Sequence, residues 1–585
     1  MTQLFEHTTE LSHYIYVVAF FLIVLGLLWG RFKAMHVFAA VVMALILSGF
    51  MGIKHIYATA VNPSILTVMA LIALTGVLKK TLPFHRIGDL LGKSSNGFMV
   101  RTGLVTAALS GFINNTPVVA LLIPILKSKA KEYNWPIGNY LMPLSFAAVA
   151  GGTITLIGTS TNLVLNGLMI ENGIEGFKFW DFLVPGLCVT GAVLLTTVLI
   201  APIVLKKTEE DADAAKNKER KYTTELKVIP RGTMEGKTVK SAGLRNLNDL
   251  FLAEIYRNGE FISPVTPKMT LQANDTLFFT GALDQVNELL DLFPKGLKTV
   301  EEKFEVDARH DLLEVIVPNN SDLIGRPLKD TNFRARYDAV IVGVQREGQP
   351  LKGKIGRITL KAGDLLLLSA GANFTHRNER ETSLITINQH KRTSNLQKGR
   401  EKYFFPGLLV TIVAALLLNW SLLLTVGLML LLGIGCGITH AEELKREFNL
   451  ELYILLILSV AFGSAIVDGG HAQFFIEQLT LPENPRTGII LLFGITVLLT
   501  NFMTNVSAVA IAFPIAVAMM QHYNLGHLEV FLPVAFGASA SFLTPSSYQT
   551  HLMVMGPGNY SNQDFLKLGL PVLVVYSAAA LWVLL

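Results

Sequence analysis

Ile113-Asn114-Asn115-Thr116-Pro117 is a polar knot between two apolar runs, Gly103 to Phe112 and Val118 to Ile125. Neither run reaches the roughly 20 apolar residues that a spanning helix needs, so the pair is expected to form a re-entrant helical hairpin. The chain then repeats it. Asn114-Asn115-Thr116-Pro117-Val118-Val119-Ala120 through Pro124-Ile125 lines up with Thr504-Asn505-Val506-Ser507-Ala508-Val509-Ala510 through Pro514-Ile515, a constant offset of 390 residues. Two polar tips in one chain imply one shared site.

The surroundings of the tips are those of a membrane protein. Of the 585 residues 51% are hydrophobic and 16% charged, and the mean hydropathy is +0.46, which excludes an ordinary soluble enzyme. The net charge of +5 does not indicate nucleic-acid binding, because Lys and Arg fall at the ends of apolar runs. Cys188 and Cys436 are the only cysteines, both in apolar runs, and are expected to be packing residues rather than a disulfide or a metal cage. The first apolar stretch, Tyr14 to Gly30, lacks a basic leader and a small-residue cleavage site and is expected to stay as a span.

Three spans are expected at about 12–30, 34–53 and 58–78, then a basic amphipathic stretch holding Lys79, Lys80, His85, Arg86 and Lys93. The first hairpin follows at about 98–131. The apolar segment 138–170 is interrupted by Gly151-Gly152-Thr153 and by Gly158-Thr159-Ser160-Thr161-Asn162, and reads as a helix unwound at mid-membrane. A further span at about 180–205 completes the unit. The same order returns after residue 403: spans at about 403–419, 421–439 and 450–467, a hairpin at 487–520, a broken helix at 527–555 and a last span at 565–585. Thr161-Asn162-Leu163 and Gly167 match Thr550-His551-Leu552 and Gly556, 389 residues on. The expected fold is thus an α-helical polytopic membrane protein made of two repeats, 1–206 and 403–585. Five crossings in each require that the halves be inverted, the plan of secondary transporters. Basic residues at 31, 33, 79–93, 127–131 and 206–207 face the cytoplasm if the amino terminus is outside. That orientation, in the plasma membrane, puts 208–402 in the cytoplasm and inserts the two hairpins from opposite sides.

Between the halves, charged linkers at 207–221 and 385–402 flank two copies of a small α/β domain, 222–300 and 301–384. Gly236, Arg257, Gly259 and Asp275 recur 89 residues later as Gly325, Arg346, Gly348 and Asp364, within short alternating runs of β type. Their Leu-Arg or Phe-Arg, Arg-x-Gly and Gly/Asn-Asp-x-Leu pattern resembles the C-terminal ligand-sensing domain of RCK (regulator of K⁺ conductance) proteins. That resemblance implies a regulatory insert binding a small cytoplasmic metabolite or nucleotide, through Arg257 and Arg346 or at a contact between paired copies.

The membrane halves resemble the divalent anion:sodium symporter family of the ion-transporter superfamily. The resemblance lies in the tips Asn114-Asn115-Thr116 and Thr504-Asn505-Val506 and in the break Ile157 to Asn162. With the insert, and with Ser546-Ser547-Tyr548-Gln549-Thr550-His551 before Gly556-Pro557-Gly558, it resembles the bacterial and algal sulfate permeases. It implies sodium as coupling ion, no organic cofactor, a homodimer, and two sodium sites: Ser110, Asn114, Asn115 and Gly158 for one, Thr500, Thr504, Asn505 and Ser547 for the other.

No Arg or Lys lies in either tip or break, so a divalent anion must be held by amides, hydroxyls and helix amino termini. Asn115 and Asn505 are the first candidates as donors, with Asn114, Thr116, Thr159, Thr504, Ser507, Ser547 and Tyr548 beside them. Tips of Asn and Thr also cap helices and bond small-residue contacts. His551 stands where the first half has Asn162, and could relay a proton or be a satisfied structural histidine. Asp468 and His471 close a span and are expected to be solvated. With few side-chain donors at the tips, sulfate is favoured over a dicarboxylate; a dicarboxylate or proton-coupled carrier and a ligand-gated channel are the alternatives. No nucleophile elbow, metal cluster or phosphate loop suggests an enzyme.

Overall fold

The long apolar runs become helices because a backbone without water must satisfy its own hydrogen bonds. The computed structural model describes residues 2–28, 34–81, 91, 95–133, 135–205, 223–244, 247, 250–258, 260–262, 265–281, 293–299, 313–318, 321–346, 349–351, 355–371, 373–374, 377–378, 384–387, 401–418, 420–448, 450–471, 474 and 482–585. The first half runs α1 (Thr2–Leu28), α2 (Ala34–Leu47), α3 (Lys54–Ala60), α4 (Pro63–Thr81), α5 (Ser95–Ser110), α6 (Asn115–Glu132), α7 (Gly138–Gly151), α8 (Ser160–Glu171) and α9 (Leu183–Val204). The second repeats that order after the insert: α11 (Glu401–Leu418), α12 (Leu422–Gly435), α13 (Ala441–Glu447), α14 (Leu450–Asp468), α15 (Pro485–Phe502), α16 (Asn505–Tyr523), α17 (His527–Ser539), α18 (Gln549–Met555) and α19 (Asn562–Leu584). The basic stretch around Lys79 to Lys93 lies mostly outside the described residues.

Helix–turn–helix pairs occupy both expected hairpin positions, and interrupted helices occupy both expected breaks. Prolines mark the register: Pro124 and Pro514 sit inside α6 and α16, and Pro143 and Pro533 inside α7 and α17, each pair 390 apart. The hairpin arms are longer than their apolar runs, because polar turns at the outer ends continue the helices. α15 and α16, at 18 and 19 residues, are themselves long and apolar enough to cross a membrane, contrary to the shortness inferred from the tip-flanking runs. Among the described residues, six helical segments have that length and composition. On α19, Leu566, Leu570 and Val574 form an exposed apolar stripe at i, i+4 spacing, a face suited to lipid. Cys188 is exposed on α9 rather than packed inside, while Cys436 is half-buried.

Contacts recur with the halves exchanged. α4 packs on α12 as α2 packs on α14; α6 packs on α18 as α8 packs on α16; α5 packs on α7 as α15 packs on α17; and α9 meets its counterpart α19. Small residues permit the closest approaches. A Cβ on Gly151 would lie 2.4 Å from the Ala107 Cα of α5, and one on Gly186 of α9 would lie 2.5 Å from the Ile154 Cα in the first break.

At the end of α14, Asp468 is exposed and 3.8 Å from His55 Nδ1. His471, expected in solvent, is instead buried, stacked on Tyr16 and 2.7 Å from His13 Nδ1. Burial, helped by the neighbouring His13, pulls its pKa down to about 4.

The insert holds two five-stranded antiparallel sheets. The first has β1 (Thr223–Val228), β2 (Leu250–Arg257), β3 (Glu260–Ile262), β4 (Thr276–Gly281) and β5 (Leu297–Thr299), in the order β3-β2-β4-β1-β5. The second has β6 (Leu313–Ile316), helix α10 (Phe333–Tyr337), β7 (Ala339–Arg346), β8 (Gln349–Pro350), β9 (Leu365–Ala370) and β10 (Ile385–Thr386), in the matching order β8-β7-β9-β6-β10. β10 draws Ile385 and Thr386 out of the expected linker into the sheet. The register shift at Leu252/Glu254 returns at Ile341/Gly343, 89 residues on.

Candidate substrate and ion site

Each tip and each break ends in the amino terminus of a helix: α6 begins at Asn115, α16 at Asn505, α8 at Ser160 and α18 at Gln549. Four helix amino termini, those of α8 and α16 each with one N–H taken up by Thr159 or Thr504, are a natural anion environment in a protein that supplies no charge there. The fold brings the first tip to the second break. Asn115 Nδ2 donates to the Tyr548 hydroxyl at 2.9 Å, and the Thr116 hydroxyl donates to Gln549 Oε1 at 3.3 Å.

Each tip is also stitched to the break of its own half. Thr155 Oγ1 donates to the Gly111 carbonyl, and its counterpart Thr544 donates to the Asn501 carbonyl at 3.0 Å. Asn501 uses both amide protons on Val497 O (2.8 Å) and Ala540 O (3.0 Å) and accepts from Leu543 N (3.0 Å). The last helices donate to carbonyls just before the breaks: Thr190 of α9 to Ala150 O and Tyr576 of α19 to Phe536 O, each at 2.9 Å.

In the first half, carbonyls and side-chain oxygens converge around Gly158, and of those carbonyls Gly111 O already accepts from Thr155 Oγ1. A Cβ on Gly158 would lie 2.5 Å from Gly152 O, 2.8 Å from Ser110 O and 3.1 Å from Gly111 O, and one on Gly152 would lie 2.7 Å from Asn115 Oδ1. Ser110 Oγ and Asn115 Oδ1 are buried with no hydrogen-bonding partner. Such a set of neutral hard oxygens fits a cation of sodium's kind. The second half is closed on itself instead. Thr500 Oγ1 shares its one proton between Ala538 O (2.6 Å) and Asn505 Oδ1 (2.9 Å), Thr504 and Ser507 hydroxyls pair at 2.8 Å, and Ser547 Oγ donates to Thr544 O at 2.6 Å. Its unpartnered buried oxygens next to the break are Ser539 Oγ and Ser541 Oγ.

Of the other expected residues, Asn114 is half-buried at the α6 cap position and makes no capping bond with its side chain. Thr159 caps α8, accepting from Thr161 N at 3.4 Å, and Thr504 caps α16 and is exposed. His551 is fully buried, with Nε2 2.6 Å from Ser541 O and Nδ1 2.7 Å from Ser145 Oγ. A carbonyl can only accept, so Nε2 carries the proton, while Nδ1 lies against the Ser145 hydroxyl, which is also 2.8 Å from Thr550 Oγ1. Asn162 does the equivalent work in the first half, donating to Thr155 O at 3.1 Å. The histidine reaches a carbonyl ten residues back where the asparagine reaches one seven residues back.

Arg257 and Arg346 lie in the insert, away from this site, and are engaged internally. Arg257 makes a bidentate pair with the fully buried Asp275 at 2.7 Å and donates to Thr270 O; Arg346 repeats this with Asp364 at 2.8 Å and Thr359 O. Their geometry explains the repeated Arg-x-Gly and Asp as a strut that ties the end of β2 or β7 to the turn before β4 or β9.

Gln549, Asn501, Thr155 and Thr544 were not among the expected site residues. Thr155 and Thr544 align at the same offset as the breaks and were findable. Asn501 aligns with Gly111, so the repeat itself hides it.

Comparison with known proteins places the chain. The family profile described as citrate transporter (CitMHS) matches residues 20–540 and 425–585. An uncharacterized transporter of Synechocystis sp. is 28% identical over 96% of this chain and 95% of its own length. Sodium/sulfate cotransporters 1 and 2 of Chlamydomonas reinhardtii are 28% and 27% identical, each over 60% of this chain, which spans only 42% and 41% of them. The crystal structure of the Alcanivorax borkumensis YdaH transporter aligns with 91% of this chain and 88% of its own, at 11% identity and a TM-score of 0.43.

Proposed function

This chain belongs to the citrate transporter family, and we propose that it is a secondary active transporter that couples sodium entry to uptake of a divalent oxyanion, sulfate first, by alternating access. The observation that carries the reading is the junction of the first tip with the second break, Asn115 to Tyr548, beside the partnerless oxygens of Ser110 and Asn115. Sodium occupies the oxygen cluster at Ser110, Asn115 and Gly158, with Asn114 at its edge, and a second ion is held by Thr500, Thr504, Asn505 and Ser547. The anion lies between the tips, bound by amide and hydroxyl donors of Asn115, Thr116, Thr159, Asn505, Ser507 and Tyr548 and by the helix amino termini. Neutral donors bind without trapping the cargo. The named sodium/sulfate cotransporters among its relatives support both the ion and the anion.

The repeated order and the contacts that recur with the halves exchanged support inverted repeats, and the placement of Lys and Arg supports an amino terminus outside. In this reading the hairpins and broken helices move against a scaffold of α1–α4 and α11–α14 in a homodimer of the plasma membrane. The insert is cytoplasmic and regulatory. Since both arginines hold aspartates, its small-molecule ligand is assigned to the junction of the two copies, where Ser369 Oγ donates to Glu254 Oε1 at 3.0 Å.

The family's own description favours a second cargo, citrate or another carboxylate. Uptake of radiolabelled sulfate into proteoliposomes, with and without an inward sodium gradient and in competition with selenate, thiosulfate, succinate and citrate, separates the two. Sodium-driven sulfate uptake blocked by selenate but not by citrate is expected; the reverse competition order would replace sulfate by a carboxylate.

A further inference from the structure

The second sheet of the insert does not float free of the membrane part. Strands put alternate residues on opposite faces, and in β6 and β9 Val315, Val317, Leu366 and Leu368 turn inward to their own core. Ile316 and Leu365, on the other face, belong to the core of the transporter helices, together with Ile387 and the partly buried Ile385 and Ala362. The fit is close. A Cβ on Gly363 would lie 2.7 Å from Leu552 Cδ2 of α18, and one on Gly556, just after α18, would lie 3.0 Å from Leu365 Cβ. Beside this apolar contact Lys127 of α6 donates to Glu314 of β6 at 2.5 Å, both side chains being mostly covered. The first copy has the same strands but Lys227, Asn274, Thr276 and Lys298 where the second has Ile316, Gly363, Leu365 and Ile385.

The two helices that the sheet grips are the ones whose amino-terminal ends carry Asn115, Thr116 and Gln549, next to Tyr548. We propose that the second copy is a clamp that holds the cytoplasmic end of α6 to that of α18, so that Glu314, Ile316 and Leu365 are positioning residues for the Asn115–Tyr548 and Thr116–Gln549 pairs about two helical turns or more away. Rigid helices transmit the grip: fixing one end of each limits how far the other ends can separate. The role assigned to those pairs rests on the proposed cargo site; the clamp itself does not.

Three readouts in membranes test it. A carbodiimide should join Lys127 to Glu314 directly in the wild type, as seen by peptide mass spectrometry. Replacing Ile316→Lys and Leu365→Thr together gives the second copy the first copy's residues, which that strand framework already tolerates, and should abolish the link. Amide exchange over 549–555 should then rise about tenfold while 527–539 stays unchanged. Lys127→Glu and Glu314→Lys should each raise exchange over 549–555, and the double reversal should restore it, a rescue that general misfolding would not give. With sulfate uptake as the third readout, undocking should raise KM several-fold more than it lowers kcat. No link in the wild type, or loss of the link with unchanged exchange over 549–555, overturns the clamp. Absence of sulfate uptake by the wild type counts against the cargo reading, and the exchange result still decides the clamp.

Discussion

The two copies in the insert share what lies inside and differ in what faces out. Each has the same strand order, the same register shift and the same arginine–aspartate strut, down to the backbone carbonyl that the arginine also holds. At the positions that meet the helices, one copy is polar and the other apolar. A fold is therefore conserved by its core and strut while a few outward residues decide whether it docks. The transporter halves diverge the other way round. Their outer order and packing recur, but inside, the first tip leaves Ser110 Oγ and Asn115 Oδ1 without partners while the second closes Thr500 onto Asn505.

Paired substitutions can break these comparisons. The largest effect is expected at the struts: Arg346→Ala or Arg257→Ala leaves a fully buried aspartate uncompensated, costing its own domain about 3–5 kcal/mol. Limited proteolysis of the full chain should show each domain opening. Only Arg346→Ala should also expose the end of α18; equal effects of both on α18 would erase the distinction between docked and undocked copies.

Next come the tips. Asn115→Ala removes an acceptor of the oxygen cluster and a donor to Tyr548, and Asn505→Ala removes one of the two oxygens that Thr500 Oγ1 contacts. Each is expected to lower sodium-driven uptake about 100-fold, equivalent to roughly 3 kcal/mol, with the protein still folded by size-exclusion chromatography. The halves should differ in sodium dependence: the first tip, with open oxygens, should lose more sodium affinity than the second. Normal uptake in both variants moves the site elsewhere.

His551→Asn is expected to cost about 1–3 kcal/mol of thermal stability, since the shorter side chain leaves Ser541 O with only the longer contact from Ser547 Oγ at 3.2 Å. Sodium-driven uptake by the wild type should be indifferent to an imposed pH gradient. A response to that gradient, lost in His551→Asn, would make this residue a proton relay and break its equivalence with Asn162.

The smallest effect is at the outer edge. His471 has a folded pKa of about 4 against an ordinary value near 6.5. A base buried neutral is protonated more readily when unfolded, so its contribution is present above pH 6.5 and is lost as pH falls toward 4. Thermal denaturation between pH 7 and 5 should show that decline, and His471→Gln should flatten it.

Much of the architecture was legible because duplication leaves a numerical trace. The 390- and 389-residue offsets locate hairpins and breaks, and the 89-residue offset locates the two sheets, without knowledge of any contact. What crosses between repeats was not legible. Ile316 and Leu365 look like ordinary strand residues until the helices that cover them are in place. Gln549 matters only because Thr116 arrives from the other half. Arginines beside glycines suggested a ligand site, whereas their partners Asp275 and Asp364 were visible in the same repeat and form the strut. His471 looked like a span-end residue because its burial comes from Tyr16 and His13, over 450 residues away along the chain.

The Asn115–Tyr548 bond joins residues 433 positions apart. At roughly 5–20 residues per second, a ribosome needs about 20–90 seconds to make that intervening chain. Throughout that interval the first tip sits in the membrane with its polar groups exposed to whatever is nearby, because the second break does not yet exist. Nascent chains stalled short of residue 549 should therefore hold this tip against membrane insertion factors or chaperones, detectable by photocrosslinking from position 116, and release it once the last two helices emerge.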